Sequence, residues 1–262
     1  MSALTRRAVA TDYGFMALGN ERSAAEDATF IRNPSVPRIR DANQVIGVTA
    51  ATPDDIDRLL ARADREYADC PHRQFRLDFT ASPEFEARLA LEGYERKDTL
   101  VMLLEGDLIG AAKPHDIRPV ESEADWQAYT SLHEIDWREY AEKIPGGADT
   151  AVAEQMVRTR RAKTPPVRYW LAWADGQPRA YLASWEGEDG VGQVEDLFTH
   201  PEFRHRGLAA TLIHHCVADC RAHGAGPVVI AADALDTPKR MYAALGFRPV
   251  AISRTYRKEL SR

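Results

Sequence analysis

Residues 192–210 read GQVEDLFTHPEFRHRGLAA, and they decide the fold because they pass from apolar strand through a basic, glycine-bearing turn into a helix. Val194, Leu197 and Phe198 carry strand character and Pro201 ends it. Past Gly207, the residues Leu208, Leu212, Ile213, Cys216, Val217 and Cys220 recur at three- and four-residue spacing, the mark of a helix with one apolar face. The turn Arg204-His205-Arg206-Gly207 therefore delivers a helix N-terminus. Such an end has unpaired backbone N–H groups and a positive dipole, and glycine removes the side chain that would hold an anion away. A pyrophosphate suits it.

Working outward, residues 227–232 form an uninterrupted buried-strand run, Thr237-Pro238 starts a helix, Gly246 ends it, and 247–256 is extended. Upstream, strands at 168–173 and 180–185 join through a tight Asp175-Gly176 hairpin. Before them come a strand at 116–120, a helix with Trp126, Tyr129, His133, Trp137 and Tyr140 on one stripe, a break at Pro145-Gly146-Gly147 and a second helix at 151–161. The first half reads as a short strand at 13–18, an irregular Pro-punctuated stretch at 33–37 and a strand at 44–48. A helix follows from Thr52-Pro53-Asp54-Asp55 through Ile56, Leu59, Leu60 and Tyr67, then a strand at 74–79, a helix at 83–91 and a strand at 99–104. The expected fold class is α/β, an α+β mixed sheet, in two domains, 1–112 and 113–262, with a short linker at 110–114.

The 262 residues are comfortable for two domains, and 44% apolar with 28% charged residues is a globular balance. A net charge of −6 argues against a general nucleic-acid surface. Cys70, Cys216 and Cys220 are too few and odd in number for a disulfide framework, and the last two share one apolar helix face, so they read as core thiols. His200, His214 and His215 have no partners at metal-ligand spacing, and no metal is expected. The start, MSALTRRAVATDYGFMALG, has its apolar run cut by Asp12, which argues against a signal peptide, and no run is long enough to span a bilayer. A cytoplasmic protein without membrane or nucleic-acid partners is expected, its oligomeric state open to a homodimer.

Arg204-x-x-Gly207-x-Ala209, after a strand and opening a helix, resembles the acetyl-CoA loop of the GNAT-superfamily N-acetyltransferases, R/Q-x-x-G-x-G/A. Lys239-Arg240-Met241-Tyr242-Ala243-Ala244-Leu245-Gly246-Phe247 resembles the L-Y-x-x-x-G-F segment that follows at similar distance in that superfamily. The resemblance implies two GNAT-like domains, the C-terminal one complete, and acetyl-CoA as co-substrate. It implies contacts to the donor from Arg204, His205, Arg206, Gly207, Leu208 and Ala209, and oxyanion donors from the backbone of Leu197, Phe198 and Thr199. Glu195 would be the base, with Asp196 the neighbouring alternative, because strand alternation sends the two to opposite faces and only one can face the acyl group. Tyr242 would protonate the leaving thiolate. The acceptor would be a small-molecule primary amine attacking directly in a ternary complex; a CoA-binding regulatory or scaffold protein is the other reading. The family's asparagine before the later helix is replaced here by Leu235, Asp236 and Pro238.

The halves read as a repeat of helix, strand, helix, glycine, aromatic and strand, with Gly93-Tyr94 matching Gly246-Phe247 and Leu89 standing where Tyr242 stands. Pro53, Asp54 and Asp55 occupy the first half's helix start, where carboxylates would repel an anion. That half is expected to be degenerate. The aromatic stripe of 126–140 reads as core or acceptor pocket, and Arg158, Arg160, Arg161 and Lys163 as a solvated helix end or as a basic run that attracts an acidic acceptor or the 3′-phosphate of CoA.

Overall fold

A computed structural model describes residues 1–25, 27–142 and 149–260 as a mixed α/β fold. The break expected at Pro145-Gly146-Gly147 lies outside the described residues. The chain forms two compact units, one of Met1–Met102, Ala231–Lys239 and Pro249–Arg262, the other of Leu103–Ile230 and Arg240–Arg248. Among the described residues, no helix is long and apolar enough to cross a membrane.

The first unit opens with α1 (Ala3–Ala17), where a strand was expected at 13–18. The helix wins because Thr5, Ala8, Val9, Asp12, Phe15 and Met16 are buried at helical spacing and the Ser2 hydroxyl accepts from the Thr5 N–H at 3.0 Å. Asp12 is tolerated in the core because Arg76 donates to it at 2.8 Å. Two further strands, β1 (Glu21–Ala24) and β2 (Thr29–Arg32), carry no clear sequence signal. Then follow β3 (Gln44–Ile46), α2 (Pro53–Glu66), β4 (His72–Leu77), α3 (Pro83–Leu91) and β5 (Glu95–Leu104), all close to expectation. The strands β1, β2 and β3 pair antiparallel in order, and β3 pairs parallel with β4 across α2. The other edge of β4 takes the last strand of the chain, β11 (Arg248–Glu259), antiparallel from Arg254↔Leu77 to Glu259↔His72. Phe75 centres the core, with the Phe85 ring at 5.4 Å and the Tyr94 ring at 5.6 Å.

The second unit contains β6 (Asp116–Pro119), α4 (Glu123–Ala141), α5 (Thr150–Ala162), β7 (Arg168–Ala174), β8 (Gln177–Glu188), β9 (Val191–Thr199) and α6 (Leu208–Ala222). It draws in parts of β10 (Val228–Asp233) and α7 (Pro238–Ala244). Strands β6 to β9 form an antiparallel meander, and β9 pairs parallel with β10 across α6. The hairpin at Asp175-Gly176 has both residues at positive φ, 52° and 72°, as a two-residue primed turn requires. α6 covers one face, where Ser184 of β8 donates to Asp219 at 2.6 Å, and α4 covers the other, where Tyr181 meets His133. Cys216 and Cys220 are free and buried under α6, and burial pushes the Cys220 thiol up to about 12.

Two helices end in the same way. α3 ends with Gly93 at φ 81°, the Gly93 N–H on the Ala90 carbonyl and the Tyr94 N–H on the Leu89 carbonyl. α7 ends with Gly246 at φ 108°, the Gly246 N–H on Ala243 and the Phe247 N–H on Tyr242. Both are Schellman caps, which need glycine at the left-handed position.

Gly192 packs closely against α6 and the loop that follows it. A Cβ there would lie 2.9 Å from the Ala225 Cβ, 3.0 Å from the Cys220 Cβ and 3.2 Å from the Trp185 carbonyl. Gly192→Ala is expected to destabilise the second unit by about 1–3 kcal/mol through overpacking, read as a lower urea midpoint by near-UV circular dichroism.

Candidate active site

The site begins where a strand loses its partner. β9 and β10 pair through Gly192↔Val228, Gln193↔Val229 and Val194↔Ile230, and there the ladder stops although β9 runs on to Thr199. On its other edge the register slips by one residue, from Ala183↔Glu195 to Tyr181↔Phe198, so that Asp196 and Leu197 together oppose Leu182. This is a β-bulge, and Asp196 takes φ 64° to make it.

The bulge corrects one expectation. Glu195 lies opposite Ala183, two residues from Tyr181, and so shares the face that meets α4. The Asp196 carboxylate accepts from Arg160 of α5 at 3.0 Å, on that same face, because the extra residue breaks the alternation. The two carboxylates are therefore neighbours on one face. Glu195 is half-buried and accepts from the Gln193 amide at 3.0 Å. Leu197 and Thr199 are half-buried, and Phe198 is buried with its ring 5.5 Å from Tyr181.

Beneath them lies a buried polar network. Arg160 donates through one nitrogen to Asp196 and through the other to His133 Nδ1 at 2.8 Å, and its guanidinium lies 5.5 Å from the Tyr181 ring centroid. An arginine can only donate, so Nδ1 is the acceptor and His133 is neutral. Burial lowers the His133 pKa, and the Arg160 charge lowers it further. Tyr181 donates to Asp136. Burial would raise the Asp136 carboxyl, but the hydrogen bond from Tyr181 and the Arg160 charge outweigh that and hold it below the ordinary value. Burial raises Tyr129, Tyr169 and Tyr181 far above an ordinary phenol.

This network was not legible as such. Arg160 and Lys163 are buried, whereas Arg158 and Arg161 are exposed, so the basic run is only half a solvated helix end. The available signal was spacing: Ala153, Val157 and Arg160 fall on one helical face. In the aromatic stripe, Trp126, Tyr129 and His133 are core, Trp137 is half-buried with its Nε1 donating to the Asp149 carbonyl, and Tyr140 is exposed.

After β9 the chain makes a short 3-10 turn, Pro201–Phe203, and enters the basic loop. Arg204 is spent on structure, donating to the Thr199 carbonyl at 3.1 Å and pairing with Glu139 of α4. The Arg206 guanidinium lies 4.5 Å from the Phe203 ring centroid. His205 has φ 62° and Gly207 φ 96°, and no side chain caps the helix that Gly207 begins. Leu208 is buried and Ala209 half-buried, so what they offer an anion is backbone N–H. These residues fit a pyrophosphate because the helix start is uncapped and Gly207 brings no side chain to it; the space that a Cβ would take is filled by the Lys113 stem, with Cδ 2.8 Å away. Tyr242 is buried on α7, its ring 6.3 Å from Phe247.

Comparisons with known proteins bear on the family and the fold. The model of the acetyltransferase (GNAT) family matches residues 126–247. These residues form a GNAT domain. The GNAT domain takes in α4, β9, the basic loop, α6 and Tyr242. A functionally unknown conserved protein from Staphylococcus epidermidis ATCC 12228 is 15% identical, with a TM-score of 0.74 over 95% of this chain and 98% of that one. A GCN5-related N-acetyltransferase from Kribbella flavida is 17% identical, with a TM-score of 0.69 over 97% and 96%. A tandem GNAT protein from the clavulanic acid biosynthesis pathway is 15% identical, with a TM-score of 0.59 over 100% and 98%. At these identities the likeness is one of fold. No curated protein matches the sequence. Among the described residues, no group of three His, Cys, Asp or Glu side chains could hold a metal ion.

Because the native His133 pKa lies below the ordinary 6.5, the unfolded chain binds the extra proton first as pH falls. The stability that neutral His133 contributes is complete above about pH 6.5 and drains away below it. Between about pH 7.5 and about pH 5.5, the wild type is expected to lose more of its urea midpoint than His133→Gln, which keeps an acceptor for Arg160 and cannot titrate.

Proposed function

We propose that this protein transfers an acetyl group from acetyl-CoA to a primary amine of a small molecule, by direct attack in a ternary complex. The observation that carries the reading is the course of β9. It leaves its partner after Val194, presents two carboxylates on one face at the bulge, and runs into a helix whose uncapped N-terminus suits a pyrophosphate.

The thioester of acetyl-CoA supplies an electrophilic carbonyl carbon; the remaining work belongs to this chain. An amine is protonated at pH 7, and removing its proton amounts to about 4 kcal/mol at roughly 1.4 kcal/mol per pKa unit. Asp196 is committed as the counter-ion of buried Arg160, which leaves Glu195 as the base. The backbone N–H groups of Leu197, Phe198 and Thr199 would stabilise the oxyanion as the C–N bond forms. Tyr242 would donate a proton to the thiolate as the C–S bond breaks. The negative charge of Glu195 favours an ammonium acceptor over an anionic one.

We read the first half, 1–112, as a degenerate GNAT-like domain. The Thr52 hydroxyl caps α2, with Pro53, Asp54 and Asp55 in its first turn. The Tyr13 hydroxyl donates to the Arg76 carbonyl at 3.2 Å, at the last paired position of β3 and β4. Both features close the places that the GNAT domain keeps for a donor. A cytoplasmic location and independence from nucleic acid and membrane belong to the same reading.

Calorimetric titration should find micromolar binding of acetyl-CoA that is lost in Gly207→Glu, with Ala209→Glu placing the same charge in the first turn without a positive φ. On an amine that the wild type acetylates, Glu195→Gln is expected to lower kcat by about 10²–10⁴ and abolish the acidic limb of the pH profile. Binding without turnover on any amine would move the reading to a CoA-dependent regulatory protein. No binding would remove it.

A further inference from the structure

The sequence Ala111-Ala112-Lys113-Pro114-His115 leads into β6. It lies across the start of α6. Thr211 of α6 donates its hydroxyl to the Lys113 carbonyl at 3.2 Å, and His115 Nε2 lies 3.3 Å from the Arg206 carbonyl, so the segment is fastened to the first turn of the helix and to the loop before it. Between these two ties lies the Lys113 side chain. Its Cδ is 2.8 Å and its Cε 3.3 Å from the place a Gly207 Cβ would occupy, so the methylene stem fills the notch that glycine leaves. The ammonium is one bond beyond Cε.

That placement is electrostatically unfavourable by itself. A helix N-terminus carries partial positive charge and stabilises anions, so a lysine held against it is repelled. Arg206 of the same loop adds charge of the same sign, while Arg204 is paired with the Glu139 carboxylate. Lys113 has no ion pair among the described residues. The whole group becomes favourable once a multiply charged anion lies on the loop, because dipole, guanidinium and ammonium then all act on it.

We propose that Lys113 is a donor-binding residue: held in the Gly207 notch by the strap of Lys113 and His115, it presents its ammonium to the pyrophosphate on the α6 N-terminus. The role rests on the acetyl-CoA reading above and adds a residue from outside the acetyl-CoA loop itself.

The test is calorimetric titration of acetyl-CoA into the wild type, Lys113→Met, Lys113→Ala and Lys113→Arg, each confirmed folded by circular dichroism, at low and high salt. Methionine keeps the stem in the notch and removes only the charge. Lys113→Met is expected to weaken binding roughly three- to tenfold at low salt, less at high salt where the charge is screened, with Lys113→Arg close to the wild type. Wild-type affinity in Lys113→Met, or a loss seen only in Lys113→Ala, would overturn the role, since packing alone would then explain the contact. A loss independent of salt would overturn it too. A wild type that binds no acetyl-CoA removes the donor reading and this role with it, whereas a wild type that binds beside an unaffected Lys113→Met removes only the role.

Discussion

One ion pair holds the active face together: Arg160 with Asp196, at 3.0 Å in a place where water scarcely reaches the guanidinium. Asp196 stands at a left-handed φ, which costs a non-glycine residue energy unless its surroundings compensate. The arginine supplies that compensation and is itself tolerable only because Asp196, His133 and the faces of Tyr129 and Tyr181 receive its charge. Without the bulge, β9 would alternate, and one of its two carboxylates would turn toward α6 and the apolar core. The chemistry of the face depends on a backbone irregularity, and the irregularity depends on a buried charge.

The two halves show how one plan can be open or closed. In both, a parallel pair of strands is crossed by a helix, and a second helix ends in a Schellman cap ahead of an aromatic residue. They differ at the helix start. α2 has a hydroxyl cap, a proline and acids, and so satisfies its own N-terminus, whereas α6 begins on a bare glycine and leaves that work to something else. The contrast lies in the cap: Thr52 caps α2 with its hydroxyl, and Gly207 offers α6 no side chain.

Much of this was legible in the sequence. Long periodic segments, proline and acid at helix starts, and glycine at helix ends located α2, α3, α6, α7 and the strands beside them, because those signals are local. What failed was non-local. The strand expected at 13–18 is the end of α1, whose buried Asp12 looks like a solvent position until Arg76 is seen to meet it. β1 and β2 are four residues each, too short to show a period. Arg160 looked solvated because its anionic partner lies on another element, and the bulge was invisible because register is a property of two strands at once. Alternation was the right rule for a regular strand, and Asp196 is where this strand stops being regular.

The pairing of β4 with β11 has a consequence for how the chain is made. The hydroxyl of Tyr256 on β11 donates to Glu86 on α3 at 2.9 Å, across 170 residues of sequence. The strands β1 to β4 are synthesised long before. While the second half is still being translated, β4 therefore presents a bare edge, the kind of surface that invites pairing with a stranger. That edge is covered only when β11 has been made, so the sheet of the first unit is completed by residues from the far end of the sequence.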